Sequence, residues 1–462
     1  MTIEEWISQP ETIEKSKKQY AHFDHRTDLS KCFKYVSTAG NISRHSFYPF
    51  IHYKKNMSKY SARLGKKKPK ERDICYASHI DRCIFQYYSF LLNELYNRRI
   101  QDDGIFEVPI AYRSDLHKTN IYFSKKAFDF ITEARECFIM IGDYTGFFDN
   151  LDHQYLKKQW CSLLGVKCLP DDHYAIYKNI TRYSYWELDD LLTLNNLEVS
   201  QKGRSQINKQ ALALSHEDFH KYRSHIQRNK DSFGIPQGSP ISALLANMYM
   251  LEVDRDINRA VTSLGGLYMR YSDDFIVVLP HISEKRASNT LREIIDDIKG
   301  TPGLELQDEK TQFFKYENGV LENCGSRFHV DADCSKKTID FLGFSFDGQN
   351  VLIRAKTITK YYYKMNRKAK TIYKNGGYTK KGNRISGKVL YDRYSIKGAF
   401  AEREKPKPPQ SRGEKRRKGN FLTYVLRAKR EYGKGNLQEQ ITKRHLMKIR
   451  KAIKGKGQSN QK

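Results

Sequence analysis

Three patterns in the sequence define an α+β chain: an antiparallel sheet flanked by helices, followed by a basic, helical C-terminal region. Short apolar runs read as strands at Phe138–Gly142, Arg270–Pro280 and Phe341–Phe346, the second of them as strand, turn, strand. Apolar residues also recur at helical spacing, as in Ile84, Tyr87, Tyr88, Leu91, Leu92 and Tyr96, which predict a helix over Arg82–Tyr96. The third pattern is charge. Residues 351–462 hold 34 Lys and Arg against 6 Asp and Glu, a net of +28, whereas residues 1–350 are balanced at +1.

Taken in chain order, residues 1–60 are mixed and polar and carry little signal. A basic knot follows at Lys66–Arg72, then a strand-like run and the Arg82–Tyr96 helix. Phe138–Gly142 is a short strand, and residues 156–230, polar with scattered leucines, read as helical. Ser239–Val253 is a helix candidate with Pro240 near its first turn. After the strands come a flexible basic segment at 402–420, a helix-like stretch at 421–452 and a disordered tail. The 462 residues amount to two to four structural units at about 100–200 residues each. A mean hydropathy of −0.73, and apolar runs far short of the roughly 20 residues that span a bilayer, argue against an integral membrane protein. The eight cysteines form no CxxC pair, which argues against a zinc ribbon, a redox motif or a disulfide scaffold. The N-terminus has no apolar signal core, and the expectation is a soluble cytoplasmic protein.

Concentrated positive charge attracts a polyanion. In residues 351–462 tyrosines interleave with it, among them Tyr361, Tyr362, Tyr363, Tyr373, Tyr378, Tyr391 and Tyr394. Stacking rings beside phosphate-binding cations suit nucleic acid; a merely solubilising tail is the alternative.

Two acidic sites carry the chemistry. In Arg270-Tyr271-Ser272-Asp273-Asp274-Phe275, adjacent carboxylates sit at a hairpin tip, where they can present oxygens to a hard divalent cation or simply form a solvated turn. Asp143 ends the Phe138–Gly142 strand and is followed by Tyr144-Thr145-Gly146-Phe147-Phe148-Asp149. On neighbouring strands, Asp143 and Asp273 would make a carboxylate pocket for two Mg²⁺, which activates an attacking hydroxyl and stabilises a leaving phosphate. Between them lies Gly234-Ile235-Pro236-Gln237-Gly238-Ser239-Pro240, a turn-rich helix entry that lets a backbone or base pair approach closely.

This ordered series resembles the palm of reverse transcriptases: Asp-x-x-x-Phe-Phe-Asp, then Pro-Gln-Gly-Ser-Pro, then Tyr-x-Asp-Asp. Leu304–Thr311 and Phe341-Leu342-Gly343-Phe344 resemble two later blocks of that family. Ile74–Arg82 and Ala111-Tyr112-Arg113 resemble the fingers of its bacterial abortive-infection and unknown-group branch, the defence-associated reverse transcriptases, and Asn420–Ala428 has a weaker likeness to a thumb. The resemblance implies a right-hand polymerase: an N-terminal extension (1–60), fingers (61–142), a palm (143–350) with a helical insertion at about 156–230, and a basic thumb and RNA-binding region (351–462). It implies Asp143, Asp273 and Asp274 as catalytic and metal-binding acids for two Mg²⁺, with Mn²⁺ as the substitute. Lys70, Arg72, Arg113, Phe148 and Gln237 would bind the nucleotide; Tyr271, Gly238, Ser239 and Lys310 would meet primer and template. Phe148 matches the steric gate that excludes a 2′-hydroxyl, with a core aromatic as the alternative; Lys310 could equally be a solvated cap.

The implied activity is RNA-directed DNA synthesis from dNTPs on a bound structured non-coding RNA, in antiphage defence. Template-independent or protein-primed DNA synthesis, an intron-maturase-like RNA-binding role and RNA-dependent RNA synthesis are the competing readings. No Cys/His nuclease cluster, Val-Thr-Gly thumb motif or fused second enzyme is present in the sequence, and the region after the palm is short for a long helical-repeat extension. RNA, DNA or a protein hydroxyl could serve as the priming group, and a homo-oligomer is compatible with the sequence.

Overall fold

The computed structural model describes residues 1–55, 57–61, 66–328, 336–374, 390, 393–399, 419–433 and 447–448. Its strands are β1 (Phe50–Lys54), β2 (Met57–Ser61), β3 (Lys66–Lys70), β4 (Asp73–Tyr76), β5 (Glu136–Asp143), β6 (Ser184–Glu187), β7 (Gln227–Arg228), β8 (Leu267–Tyr271), β9 (Asp274–Pro280), β10 (Gln312–Glu317), β11 (Val320–Asn323), β12 (Ile339–Phe341), β13 (Phe344–Phe346) and β14 (Val351–Ile353).

The strand read at Phe138–Gly142 is the middle of a five-stranded sheet, ordered β11-β10-β5-β9-β8 and antiparallel throughout. Side chains of a strand alternate between faces, and here both faces are buried. Phe138 and Met140 of β5 enter one core with Phe275, Val277 and Leu279 of β9. Cys137, Ile139 and Ile141 enter the other with Ile276 and Val278. Burial on both faces explains why these strands read as continuous apolar runs rather than alternating ones.

The first face is covered by helices His79–Asp102, Ser242–Tyr249, Leu251–Thr262 and Glu284–Gly300. The first of these contains the expected Arg82–Tyr96 helix and starts at the Ser78 cap, whose hydroxyl accepts from Asp81 N. The helix expected over Ser239–Val253 is two: Met250 separates them, its N–H turning back to Asn247 O at 3.2 Å. Pro240 lies in the turn before the first. The second face is covered by helix Asn120–Ala134, the β12-β13-β14 sheet and helix Phe421–Tyr432, which presents Leu422, Val425, Ala428 and Tyr432 on one side. Tyr432 donates to Ser124 Oγ at 2.7 Å, and Asn120 Nδ2 donates to both Tyr424 Oη (3.0 Å) and Leu342 O (2.9 Å).

Three expectations are corrected. Phe341–Phe346 is a hairpin, not one strand: Leu342 and Gly343 both take positive φ (47° and 92°), the backbone of a two-residue reversal. Residues 156–230 are not wholly helical, because β6 and β7 lie within them. These strands join β1 and β4 in a sheet ordered β4-β1-β6-β7, with β1 and β6 parallel. The boundary expected at residue 60 therefore cuts through a sheet. Behind that sheet Phe23, Ile51, Trp186, Leu191 and Leu192 share a small core, which ties the chain start to the 184–214 segment. The flexible segment at 402–420, all but its last two residues, and the tail lie outside the described residues, as do 434–446 and 449–452 of the helix expected over 421–452.

Candidate active site

The acidic residues meet because of strand register. β5 runs antiparallel to β9, and Asp143 at the end of one pairs with Asp274 at the start of the other. β8 and β9 form a hairpin in which Tyr271 pairs with Asp274, leaving Ser272 and Asp273 as the two turn residues. Ser272 takes a φ of 60°, and Asp273 O accepts from Tyr144 N at 3.0 Å. Two acidic segments far apart in sequence are thereby stitched backbone to backbone at one sheet edge.

Crowding shows in the electrostatics. Asp273 is held above the ordinary carboxylate range, first by burial and then by the charge of Asp143. Asp274 keeps an exposed edge, yet it is raised further: by the packed surroundings first, then by a proton-sharing contact with Asp143 and the charge of Asp273. The ammonium of Lys310 is hydrogen-bonded to Asp143 Oδ1. Lys310 is delivered there by a segment laced to Asp143: Gln307 N donates to Asp143 O (2.8 Å), Thr145 N to Glu305 O (2.8 Å) and Lys310 N to Gln307 O (2.8 Å).

Three carboxylates whose charges oppose one another, two of them pushed toward the protonated form, are a donor set that a hard divalent cation would relieve. The oxygen chemistry fits such an ion. Among the described residues no three His, Cys, Asp or Glu side chains stand as a ready ligand cluster; at Asp143 the counter-charge is Lys310.

The remaining expected residues fall around this edge in different ways. Phe148 lies in the short helix Phe147–Asn150, half-buried, its ring 5.6 Å from that of Phe147. Its carbonyl accepts from Ile235 N at 2.9 Å, and Gln237 Nε2 donates to Asp149 Oδ1 at 3.0 Å, so the Pro-Gln-Gly-Ser-Pro turn is fastened beside it. Gly238 must be glycine: its φ is 117°, and a Cβ there would stand 2.5 Å from Cys75 O. Cys75 N donates to Gln237 O at 2.8 Å, which closes the turn onto β4. Ser239 is buried, its Oγ without a hydrogen-bond partner among the described residues. Tyr271 is half-buried at the end of β8. Arg72 is exposed and, among the described residues, forms no ion pair. Lys70 ends β3, and its side chain lies outside the described residues.

Arg113 is a correction. Its side chain is 1% exposed; it donates to Phe106 O and to Asp115 Oδ2 (2.6 Å) and lies over the Phe106 ring. A guanidinium buried and paired in this way supports the 106–115 turn and is not free to neutralise a triphosphate.

Sequence reasoning missed the layer beneath the hairpin. Arg270, fully buried, pairs with Asp254 (Nη2 to Oδ2 2.6 Å, Nε to Oδ1 2.8 Å) and donates from Nη1 to Ser272 O at 3.1 Å. Tyr268 Oη donates to the same Asp254 at 2.9 Å. The signal was present: Asp254 occupies the apolar stripe Leu251, Ile257, Val261 of an amphipathic helix, and Arg270 interrupts an apolar strand. Both charges sit where only a paired charge is tolerated. Tyr112, 54% exposed, places its hydroxyl 3.2 Å from Ser272 Oγ and was also unassigned.

The central strand of an antiparallel sheet thus ends in an acid that abuts an Asp-Asp hairpin, and the Pro-Gln-Gly-Ser-Pro turn is fastened to the short helix that follows that strand. Residues 66–346 match the family model described as reverse transcriptase (RNA-dependent DNA polymerase), and the chain belongs to that family. No curated protein matches. Similar solved structures include an apo telomerase from Candida tropicalis truncated of its C-terminal domain (TM-score 0.40, 11% identity, covering 71% of this chain and 61% of that one). A telomerase from Candida albicans in complex with a fragment of telomeric RNA is similar at TM-score 0.36 and 16% identity, over 73% of this chain and 52% of that one. The chain thus spans about half to three-fifths of these structures' length. Among its described residues no helix is long and apolar enough to cross a membrane.

Proposed function

We propose that this chain is an RNA-directed DNA polymerase in which Asp143, Asp273 and Asp274 form the catalytic edge. The observation that carries the reading is the Asp143–Asp274 register pair, with Asp273 tied back to Tyr144. Asp143 and Asp273, assisted by Asp274, would hold Mg²⁺, which supplies charge neutralisation at the reacting phosphate. The chain's own residues do the positioning. Phe148 limits the space beneath the sugar and selects deoxynucleotides. Gln237, braced on Asp149, faces template and incoming nucleotide. Exposed Arg72 meets the triphosphate, and Tyr271 rests against the primer terminus, whose 3′-hydroxyl attacks the α-phosphate with pyrophosphate leaving. Lys310, paired with Asp143, would offer its ammonium to the primer backbone.

The resemblance of Ile74–Arg82 and Ala111–Arg113 to the defence branch supports a finer reading: a cytoplasmic bacterial enzyme that copies a dedicated structured non-coding RNA on phage infection. The +28 net charge of residues 351–462 supports an RNA held in place. Sequencing nucleic acid that co-purifies with the protein, with and without infection, tests this. One enriched RNA and its complementary DNA are expected; protein free of RNA would end the reading.

Protein-primed synthesis is the second reading, and one observation favours it: the exposed Tyr112 hydroxyl beside the Asp-Asp hairpin. Product that stays on wild-type protein after nuclease treatment, and that no longer forms attached to protein in Tyr112→Phe, would select it.

A further inference from the structure

Residues 1–350 are nearly neutral, and for that reason one local imbalance stands out. A cleft of about 880 Å³ opens between helices His153–Leu164 and Asp171–Thr181 and the turn at 230–232. Six cations line it: Lys157, Lys158, Lys167, Lys178, Arg182 and Lys230; the one acid in its lining is Asp231. Lys158 is drawn to Glu252 at 3.3 Å. Among the described residues the other five form no ion pair. The cleft contains none of the residues placed at the polymerase edge.

Six like charges gathered around a single acid destabilise a fold unless something else neutralises them. The cleft also offers a stacking face. Tyr174 is 44% exposed, and the Lys157 ammonium stands 5.2 Å from its ring centre and 5.9 Å from that of Tyr177. Cations on three sides of a groove beside a partly exposed aromatic ring suit a phosphodiester strand whose bases are unpaired. An acidic peptide would use the charges but leave the ring unexplained.

The cleft wall is continuous with the segments that carry Phe148 and Gln237. His153 N donates to Ser232 O at 2.9 Å, the His153 ring bonds Gly234 O at 2.8 Å, and Ile235 N donates to Phe148 O at 2.9 Å.

We infer that this cleft is a second RNA site, which holds single-stranded RNA outside the copied hybrid. The inference rests on the polymerase reading for its choice of RNA, but its test reads binding apart from synthesis. Full-length protein is titrated with labelled oligo(U) over a range of salt. The variant Lys157→Glu/Lys178→Glu/Arg182→Glu is compared with Lys31→Glu/Lys34→Glu/Lys285→Glu, an equal charge change at exposed sites elsewhere. The milder Lys178→Gln/Arg182→Gln serves if the first fails to fold. The cleft variant should bind at least about tenfold more weakly than the control variant. Its slope of log affinity against log salt should fall by about 2, the scale of three lost phosphate contacts on a single strand. Incorporation on a short primed template should stay within about twofold of wild type. Equal weakening in both triple variants would overturn the site, as would competition by poly-glutamate as strong as that by RNA. Loss of synthesis in wild type with the binding difference intact would instead remove the polymerase reading and leave the cleft.

Discussion

Phe148 shows what one side chain is asked to do. Gly146, at φ 52°, turns the chain out of β5 into a four-residue helix, and Ile235 and Gln237 fasten that helix from the other side. The ring has little freedom to retreat, so a 2′-hydroxyl would meet a wall. Phe148→Ala should raise ribonucleotide use relative to deoxynucleotide use by at least about tenfold, the scale of discrimination a small steric difference supplies. Competing dNTP and NTP incorporation on one primed template measures it, and unchanged selectivity would reduce Phe148 to a core aromatic. Arg113 illustrates the opposite outcome. Its charge suggested a phosphate ligand, but only the fold shows that Phe106 O and Asp115 already occupy it.

At the level of elements, the β8–β9 hairpin depends on a buried ion pair. Removing one partner leaves an uncompensated buried charge and costs about 3–5 kcal/mol. Asp254→Ala should therefore lower the denaturation midpoint sharply and abolish incorporation. The double change Arg270→Met/Asp254→Leu should recover much of the stability, because an apolar pair suits a fully buried site. It should not recover activity, because the bond from Arg270 to Ser272 O is gone. Denaturant melts paired with primer extension separate the two effects; recovery of both would show that the pair serves stability alone. The start of the chain gives a pH prediction. His22 is fully buried: its Nδ1 accepts from Phe23 N, so its Nε2 donates to Tyr76 O at 3.2 Å, and the ring is neutral. Burial depresses it from 6.5 to about 3. The unfolded chain binds a proton that the native state refuses, so this contribution is full above about pH 6.5 and is lost as pH falls toward 3. Thermal midpoints should drop over that window, and His22→Gln should flatten the drop. An equal slope in the variant would assign the acid sensitivity elsewhere.

For the molecule as a whole, legibility followed locality. β5, the β8–β9 hairpin and the Pro-Gln-Gly-Ser-Pro turn carry their signals within a few residues, so their places in the fold were legible. β6 and β7 did not show, because strands of four and two residues leave no periodicity, and their partner β1 lies in a segment read as featureless. The Leu342–Gly343 reversal hid inside an apolar run. The Arg270–Asp254 pair and the Lys157–Arg182 cleft exist only once distant helices and strands are packed. Charge divided the chain into a balanced body and a basic end, but not the cations gathered within the body. The account stands on the acids at the sheet edge taking part in DNA synthesis. Its most direct measurement is primer extension with dNTPs and Mg²⁺ on an RNA template by wild type and by Asp273→Ala/Asp274→Ala, with RNA binding read in the same samples. Extension in wild type and none in the variant, at undiminished RNA affinity, is the expected result. A variant that still extends, or a wild type that never does, would contradict it.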